Sequence, residues 1–384
     1  MSIKKVLITG GRAYSTIELA RLFERDGIEV HIAESLEHCM IKKSKAVSGY
    51  HLVASPKTHL ALYIEQLILI IEKERIELLI PTCEEIFFIA KEKERFPLSC
   101  QVLTDSFNTL LALHNKFTFI ETAREFGLNV PQTFLIESQE QWNDQLNKLG
   151  NESYIAKPVY SRFSSKLLFF PDNKGASVSV SSNYPWVIQK LIEGKQYCTY
   201  SFVQQGNIMA HCTYPSIYKV GMGATTVFQC EQVKSIETWV SAFVKKLNFS
   251  GQIAFDFIQT KDGEVYPIEC NPRLTSGIHL FRGTDIVECF LGRRQELVLP
   301  VKNRTMIIYP TWVLSVIRFM KIAGVREYFR MLVTSKDVLF DIRDIGPFFY
   351  QFRFLLELNK IRRKRGISLV DATTFDISWD GDNG

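Results

Sequence analysis

The sequence predicts an α/β N-terminal domain with a parallel sheet, then an α+β domain, and then a helical C-terminal extension. Three observations support this order. Strand-like runs alternate with helical patterns through the first hundred or so residues, strand-like runs dominate from about residue 154 to 271, and helical, aromatic-rich sequence follows Pro300. We place the domains at residues 1–112, 113–299 and 300–384.

The N-terminal domain is predicted from strictly alternating strands and helices. The predicted strands are Lys5–Thr9, Glu29–Ala33, Glu77–Pro81 and Gln101–Thr104, and the predicted helices are Thr16–Arg25, Glu65–Lys73 and Glu84–Arg95. The Gly10-Gly11 pair after the first strand suggests a dinucleotide-binding loop, but the later glycines that such a loop needs are missing. A tight strand-to-helix turn accounts for both glycines.

Composition places the chain among globular proteins with substantial cores. It has 384 residues, of which 46% are hydrophobic, and a net charge of +5. The eight cysteines include no Cys-x-x-Cys pair, which argues against a zinc site and a disulfide framework and favours the cytoplasm. We expect no secretory signal, because residues 1–5 run directly into the strand-like Val6–Thr9. We expect no transmembrane segment, because the most apolar stretch is interrupted by Pro310, Arg318 and Lys321.

The most informative pattern is a predicted hairpin over residues 251–273. If Asp262-Gly263 forms its two-residue loop, Asp256 faces Glu269 directly across the strands, and Asn271 shares their face. The apolar residues are expected on the other, core face: Ile253, Phe255, Phe257, Tyr266 and Ile268. Facing carboxylates repel unless a cation neutralises them, and oxygen ligands suit Mg²⁺. From the residues alone, a simply hydrated polar face explains the pattern equally well.

Two further segments are compatible with nucleotide binding. Lys157 follows the apolar strand Tyr154–Ala156, and the polar connection Ser161–Ser165 after it is suited to a hairpin lid over phosphates. The apolar strand Val187–Ile192 has edge backbone groups that suit a flat base, although a core strand has the same pattern. A helix is predicted to begin near Asn115.

The order of these pieces resembles the ATP-grasp superfamily. It runs from a helix starting Asn115-Lys116, through the strand at Lys157 and the strand at Gln189–Ile192, to an acidic hairpin ending Glu269-Cys-Asn-Pro-Arg273. The resemblance covers roughly residues 4–282, because the N-terminal domain is similar to the pre-ATP-grasp domain of carbamoyl phosphate synthetase, biotin carboxylase and D-alanine:D-alanine ligase.

The resemblance implies ATP and Mg²⁺ as cofactors, with Mn²⁺ as a substitute ion. The implied phosphate contacts are Lys116, Lys157 and the lid residues Ser161, Ser164 and Ser165. Gln189, Lys190 and Ile192 would hold the adenine, and Glu193 or Gln196 the ribose. Asp256, Glu269 and Asn271 would bind the metal ion, while Arg273 and Lys157 would act on the transferring group.

By the same resemblance, we expect an ADP-forming ligase that activates a carboxylate as an acyl phosphate and transfers it to an amine. Ala254 stands where D-alanine:D-alanine ligase has a basic residue, and the segment after Arg273 lacks the biotin carboxylase pattern. Two alternatives are a carbamoyl-phosphate-synthetase-like enzyme that activates bicarbonate and a non-catalytic nucleotide-binding protein whose tail recruits a partner or membrane. The expected partners are small-molecule substrates, not nucleic acid, and a homodimer is left open.

Three segments have weaker signals. Thr275–His279 and Tyr218–Gly223 are expected near the acceptor substrate, although His279 is at least as well explained by a structural role. Glu84 and Glu85 either meet the substrate or are ordinary first-turn acids. The basic run at residues 360–365 suits an anionic partner such as RNA or a membrane surface, but such runs are more often solvated faces.

Overall fold

The structure is a computed structural model that describes residues 3–150, 152–160, 166–172, 178–220 and 224–381. The N-terminal part contains β1 (Lys5–Thr9), α1 (Tyr14–Arg25), β2 (Glu29–Glu34), β3 (Gly49–Leu52), α2 (Leu60–Glu74), β4 (Leu78–Ile80), α3 (Glu85–Lys91) and β5 (Gln101–Val102). These strands form one parallel sheet in the order β3-β2-β1-β4-β5, which confirms the predicted parallel layer.

Alternation along β1 explains why helices cover both faces of this sheet. Val6 and Ile8 are buried in the core that contains the α1 residue Leu19, whereas Leu7 is buried in the core that contains Ile64 of α2. Side chains of successive strand residues point to opposite faces, so a continuous apolar run needs cover on both sides. Strand β3 was not predicted from the sequence.

The two glycines after β1 lie in a crowded strand-to-helix turn. Gly10 has a φ of +72°, and a Cβ atom there would lie 2.7 Å from the Thr82 hydroxyl oxygen. A Cβ atom on Gly11 would lie 2.7 Å from a methyl group of Ile41. Close packing therefore accounts for both glycines, in agreement with the tight-turn interpretation.

The middle part contains two four-stranded antiparallel sheets and their helices. Its first half comprises α4 (Phe107–His114), α5 (Lys116–Glu125), β6 (Thr133–Ile136), α6 (Gln139–Lys148), β7 (Tyr154–Pro158), β8 (Leu168–Phe170) and β9 (Trp186–Lys190). Its second half comprises β10 (Lys195–Gln204), β11 (Asn207–Pro215), β12 (Lys219–Val220), β13 (Ala224–Thr225), β14 (Val227–Gln229), α7 (Lys234–Leu247), β15 (Gly251–Gln259), β16 (Val265–Asn271) and α8 (Ile286–Phe290). The sheet orders are β6-β9-β7-β8 and β11-β10-β15-β16.

Helix α7 packs its aromatic face on the inner side of the second sheet. The Trp239 ring lies 5.5 Å from Phe255 and 5.1 Å from Phe257, measured between ring centres, with edge-to-face geometry. Phe119 of α5 lies 5.8 Å from Phe255. Such contacts add to the free energy of burial and fix one face of β15 in the core, so its other face is turned to the site.

The C-terminal part is helical, as predicted, but it also adds two strands to the middle part. It contains β17 (Thr305–Ile307), α9 (Tyr309–Leu314), α10 (Val316–Ala323), α11 (Val325–Thr334), β18 (Lys336–Asp337) and α12 (Gly346–Arg365). Strand β17 lies between β14 and β18 in a three-stranded sheet. None of the helices in the described ranges is long and apolar enough to cross a membrane.

The segment after α12 returns to the N-terminal part. The Arg12 guanidinium lies 2.5 Å from Glu34 and 2.5 Å from Asp376, and all three side chains are buried. The Ser35 hydroxyl also donates to Asp376, at 2.6 Å. Trp379 lies in the core formed by α3, α4 and the second sheet of the middle part. Residues far apart in the chain therefore share one buried ion network.

Candidate active site

The two predicted facing carboxylates are cross-strand partners in the structure. Asp256 of β15 pairs with Glu269 of β16, and both side chains are half-buried. The predicted two-residue loop is wrong, however. The amide of Thr260 donates to the Glu264 carbonyl at 2.9 Å, which closes a three-residue loop with Gly263 at a φ of +90°.

A bulge in β16 restores the predicted pairing. The register shifts by one residue between Asp256 and Phe257, so Phe257 pairs with Pro267 and not with Ile268. Ile268 is the extra residue, and a bulge of this kind re-aims the backbone next to a site. The added loop residue and the bulge cancel at Asp256, which is why the prediction was right there.

The bulge also changes which apolar residues of β16 reach the core. Tyr266 and Ile268 were expected on the core face, but both are only half-buried, and Val265 and Cys270 occupy the core instead. The Ile268 carbonyl accepts a hydrogen bond from the Lys157 ammonium at 2.9 Å. The bulge therefore links the acidic hairpin to the lysine strand of the first sheet.

Lys157 is a buried cation at the junction of the two sheets. Its ammonium donates to the Gln189 side-chain oxygen at 3.2 Å as well as to Ile268. Burial and then the positive charge of Lys116 lower the pKa of Lys157 to about 8, against the opposing effect of Glu269 and Asp256. A cation held in this environment is stabilised when an anion binds beside it.

Lys116 is the first residue of α5 and is also buried. The Asn115 side chain caps this helix by accepting from the amides of Phe117 and Thr118, at 2.9 and 3.1 Å. The Lys116 ammonium lies 4.0 Å from the nearer carboxylate oxygen of Glu269. A cation at a helix N-terminus is disfavoured by the helix dipole, so its position is explained by nearby negative charge.

The pKa of Asp256 is shifted in the opposite direction to that of Lys157. Burial and then the facing Glu269 raise its pKa to about 6, while Cys198, Lys219 and Lys157 act in the other direction. Lys219 lies in β12 and donates to the side-chain oxygen of Gln196. An acid whose ionised form is disfavoured by a facing carboxylate is a suitable ligand for a divalent cation, which supplies the missing positive charge.

Asn271 and Arg273 complete this group at the end of β16. The Arg273 guanidinium donates to the Asn271 side-chain oxygen at 3.1 Å and to the Leu274 carbonyl at 3.2 Å. Both residues are half-buried. The structure thus gathers five of the predicted site residues around Glu269: Lys116, Lys157, Asp256, Asn271 and Arg273.

The residues predicted to bind the nucleobase and the ribose lie in different environments. The side-chain amide of Gln189 donates to the Thr133 hydroxyl at 3.0 Å, and the backbone amide of Lys190 donates to the Gln132 carbonyl at 2.8 Å. Both donors are therefore already hydrogen-bonded within the protein. Ile192, half-buried, and Glu193, exposed, follow the end of β9. The predicted lid residues Ser161, Ser164 and Ser165 and loop residues 221–223 lie outside the described residues.

Two site residues were missed or undervalued in the sequence. Cys198 of β10 pairs with Asp256 on the side of β15 away from Glu269, and Lys219 was named only as part of a loop. Both interact with Asp256, as its shifted pKa reflects. No local pattern indicates either residue, since their proximity depends on how β10 and β12 are placed in the fold.

His279 and Glu85 both interact with other parts of the protein in ways that stabilise the fold. His279 is buried 3.5 Å from Glu18, which also accepts hydrogen bonds from the Arg282 guanidinium. One oxygen of Glu85 accepts from the Thr9 hydroxyl at 2.7 Å and from two backbone amides that follow β4. These contacts favour the structural interpretation of His279 and a role for Glu85 in joining the ends of β1 and β4.

A second group of possible metal ligands, His31, His51 and Glu74, lies at the edge of the N-terminal sheet. The two ring nitrogens are 3.0 Å apart, the ring centres are 5.3 Å apart, and the rings are inclined by only 16°. The distance between the ring centres equals the distance between the two nitrogens plus the two ring radii. Nδ1 of His31 and Nε2 of His51 therefore point straight at each other. This geometry is that of a hydrogen bond, not of two ligands converging on one ion.

The raised pKa of Asp256 predicts a pH-dependent stability. A carboxyl group whose pKa is higher in the folded than in the unfolded protein destabilises the fold above its folded pKa and has no such effect below its unfolded pKa. The window here runs from the ordinary value of 3.8 to about 6. We expect Asp256→Asn to raise the melting temperature of the ligand-free protein at pH 7, and to raise it progressively less as the pH falls through this window. Thermal unfolding across the window measures the difference, and an equal gain at both ends would contradict the assignment.

Comparisons with known proteins agree with this architecture. A family model described as an ATP-grasp domain matches residues 113–277. The N5-carboxyaminoimidazole synthetase of Staphylococcus aureus is similar in structure with a TM-score of 0.64 and 11% identity, covering 84% of this chain and 87% of that one. The biotin carboxylase domain of the Hydrogenobacter thermophilus 2-oxoglutarate carboxylase has a TM-score of 0.61 and 15% identity, covering 79% and 74%.

A third similar structure is the L-amino acid ligase of Bacillus licheniformis, with a TM-score of 0.56 and 17% identity, covering 72% of this chain and 68% of that one. No curated protein matches the sequence. At these identities the structural likeness shows the fold, and the family model identifies the domain. Residues 113–277 match the model of an ATP-grasp domain, in agreement with the resemblance that the order of the motifs predicted.

Proposed function

We propose that this protein is an ATP-dependent ligase that activates a small carboxylate as an acyl phosphate, releases ADP and transfers the acyl group to an amine. The observation that carries the proposal is the juxtaposition of two facing carboxylates, Asp256 and Glu269, with two buried lysines, Lys116 and Lys157. The lysines suit the phosphates of a nucleoside triphosphate, and the carboxylates suit the metal ion that accompanies them.

The donor set fits Mg²⁺. Asp256, Glu269 and Asn271 supply only oxygen ligands on one face of the hairpin. The raised pKa of Asp256 reflects its burial and then the repulsion by Glu269, which a divalent cation relieves. When bound, such an ion neutralises charge on the terminal phosphates of the nucleotide. The similar biotin carboxylase domain was solved with MgADP and bicarbonate, which supports ATP and Mg²⁺ as the cofactors here.

The protein's own side chains then have distinct roles. Lys157 and Lys116 would bind phosphate oxygens and neutralise the charge that moves with the γ-phosphoryl group. Arg273, which donates a hydrogen bond to Asn271, would bind the oxyanion that forms when an amine attacks the acyl phosphate. Ile192 and Glu193 at the end of β9 would contact the base and ribose, with Gln196 as the other ribose candidate.

The products distinguish this chemistry from adenylation. A carboxylate labelled with heavy oxygen is expected to transfer one labelled oxygen to inorganic phosphate, because the amine displaces phosphate from the acyl phosphate. Label should appear only when acid, amine and ATP are all present, and ADP should be the nucleotide product. Labelled AMP, or unlabelled phosphate formed at the rate of the amide, would overturn the proposal.

Bicarbonate is the second candidate for the activated acid. The similar carboxylase domain was solved in complex with bicarbonate, which makes this ion a second candidate substrate here. A screen in which amino acids and bicarbonate are each tested as the trigger for ADP release separates the two. Release with amino acids and a product of amide mass supports the ligase.

A further inference from the structure

Helix α12 is apolar on two faces. On one face, Phe354 and Leu358 are buried in the core that contains Met40 and Ile41 of the N-terminal part. A helix on the surface of a globular protein ordinarily has one apolar stripe, which faces the core, and polar residues on the opposite side. The outward face of α12 departs from this pattern.

The outward face has four large apolar side chains at helical spacing. Ile345, the residue just before the helix, is followed by Phe349, Phe352 and Leu356 at i+4, i+7 and i+11, so the four lie along one line. Their exposed fractions are 39%, 62%, 60% and 71%. We call these four residues the α12 stripe, and it is about 16 Å long at the rise of an α-helix.

The loop before the helix extends this apolar surface. Ile342 is 82% exposed and Phe340 is 42% exposed. Phe340 packs edge-to-face on Phe348, with ring centres 5.3 Å apart, and Phe348 packs in the same way on Phe349 at 5.6 Å. These ring contacts hold the loop beside the start of the α12 stripe. Contiguous apolar exposure of this kind marks an interaction surface.

Positive charge continues the line of the stripe. Lys360 and Arg363 are exposed and lie at i+4 and i+7 from Leu356. Residues 340–366 contain seven basic residues (Lys or Arg) and only three acidic residues (Asp or Glu). Two of these acids, Asp341 and Asp344, form ion pairs with arginines of α1, so the charge that the segment presents outward is positive.

We propose that the α12 stripe and the cations that follow it dock the protein on an anionic lipid surface, with the helix lying in the plane of the interface. Aromatic and aliphatic side chains enter the boundary between headgroups and acyl chains, while lysine and arginine reach the headgroup phosphates. Basic residues next to an apolar helix face are the pattern that anionic lipids attract. No described helix is suited to spanning a bilayer, so the contact is peripheral.

Other occupants match only part of this surface. A nucleic acid would pair with Lys360 and Arg363 but would leave the apolar side chains of Phe349 and Leu356 in water. A second copy of the helix would cover the apolar side chains but would bring no counter-charge for the cations. A lipid surface with negative headgroups accounts for both features together.

The test is co-sedimentation of the full chain with vesicles of phosphatidylcholine, prepared with and without phosphatidylglycerol. The wild-type protein should bind only the anionic vesicles, and less at high salt because screening weakens the headgroup attraction. Phe349→Gln combined with Leu356→Gln, and separately Lys360→Gln combined with Arg363→Gln, should each reduce binding by about tenfold or more.

Matched variants control for general changes of surface. Leu62→Gln with Leu69→Gln removes two exposed leucines of α2, and Lys234→Gln with Lys245→Gln removes two cations of α7. Both control variants should bind vesicles like the wild type. All variants should keep the wild-type circular dichroism, melting temperature and ATP turnover in solution, since none of these residues lies in the candidate active site.

Four results would overturn the proposal. The first is a wild-type protein that does not sediment with anionic vesicles, and the second is a stripe variant that sediments as well as the wild type. The third is a wild-type dimer, seen by light scattering, that becomes a monomer in the Phe349→Gln, Leu356→Gln variant while vesicle binding is absent. Retention of a labelled RNA by the wild type without vesicle binding would likewise assign the cations to nucleic acid.

Discussion

Replacing Glu269 by Gln is expected to reduce ATP-dependent turnover by about a thousandfold, because it removes a charged ligand from the metal ion that neutralises the phosphates. The fold should stay intact. Glu269 is half-buried and faces Asp256, so the neutral amide relieves repulsion between two carboxylates in the ligand-free protein. The melting temperature without nucleotide should therefore hold or rise.

The matched control is Glu264→Gln, in the same hairpin but exposed and bonded to the Asn129 amide. It removes the same charge outside the site and should leave turnover unchanged. ADP release and thermal unfolding, measured on both variants, separate a metal ligand from a surface acid. Wild-type turnover in Glu269→Gln would remove Glu269 from the metal site.

Replacing Lys157 by Ala is expected to weaken ATP binding by about 10- to 100-fold, the effect of losing one charge-assisted hydrogen bond to phosphate. Burial lowers the pKa of Lys157 to about 8, so in the ligand-free protein its positive charge is a destabilising feature. A phosphate oxygen beside it supplies the missing counter-charge. Titration calorimetry with ATP and Mg²⁺ measures the change.

Two variants make this result interpretable. Lys157→Met keeps most of the side-chain volume and removes the buried charge, so its melting temperature should equal or exceed that of the wild type while its ATP affinity falls as strongly as in Lys157→Ala. Lys195→Ala removes an exposed lysine that pairs with Glu231 on the surface, and it should bind ATP normally. Unchanged ATP affinity in both Lys157 variants would return this residue to a structural role.

Local sequence patterns were sufficient for the features that depend on neighbouring residues. The parallel sheet follows from buried apolar runs such as Val6–Ile8, and the hairpin that contains both Asp256 and Glu269 follows from two strands about a nearby turn. The direct pairing of these two residues was predicted correctly only because the extra loop residue and the bulge cancel. The helix start at Asn115 follows from its capping side chain. Each of these interactions is made within a short stretch or a single hairpin.

Features that depend on the rest of the fold were not predictable in this way. Strand β3 is four residues long, lies at a sheet edge and has no fully buried side chain, so its sequence lacks an apolar run. The three-residue loop and the bulge at Ile268 are alternatives that local propensity does not distinguish from a two-residue turn. The proximity of Lys219 to Asp256 depends on packing between separate sheets.

The buried network of Arg12, Glu34 and Asp376 has a consequence for how the chain folds as it is synthesised. Residue 376 emerges from the ribosome 364 positions after residue 12, which takes on the order of tens of seconds at usual elongation rates. Throughout that interval the nascent N-terminal sheet has Arg12 without its second carboxylate. The ion network on this sheet is completed only after residue 376 has emerged. Shortened translation products that stop before it therefore leave Arg12 without this partner, in a region that chaperones and proteases can recognise.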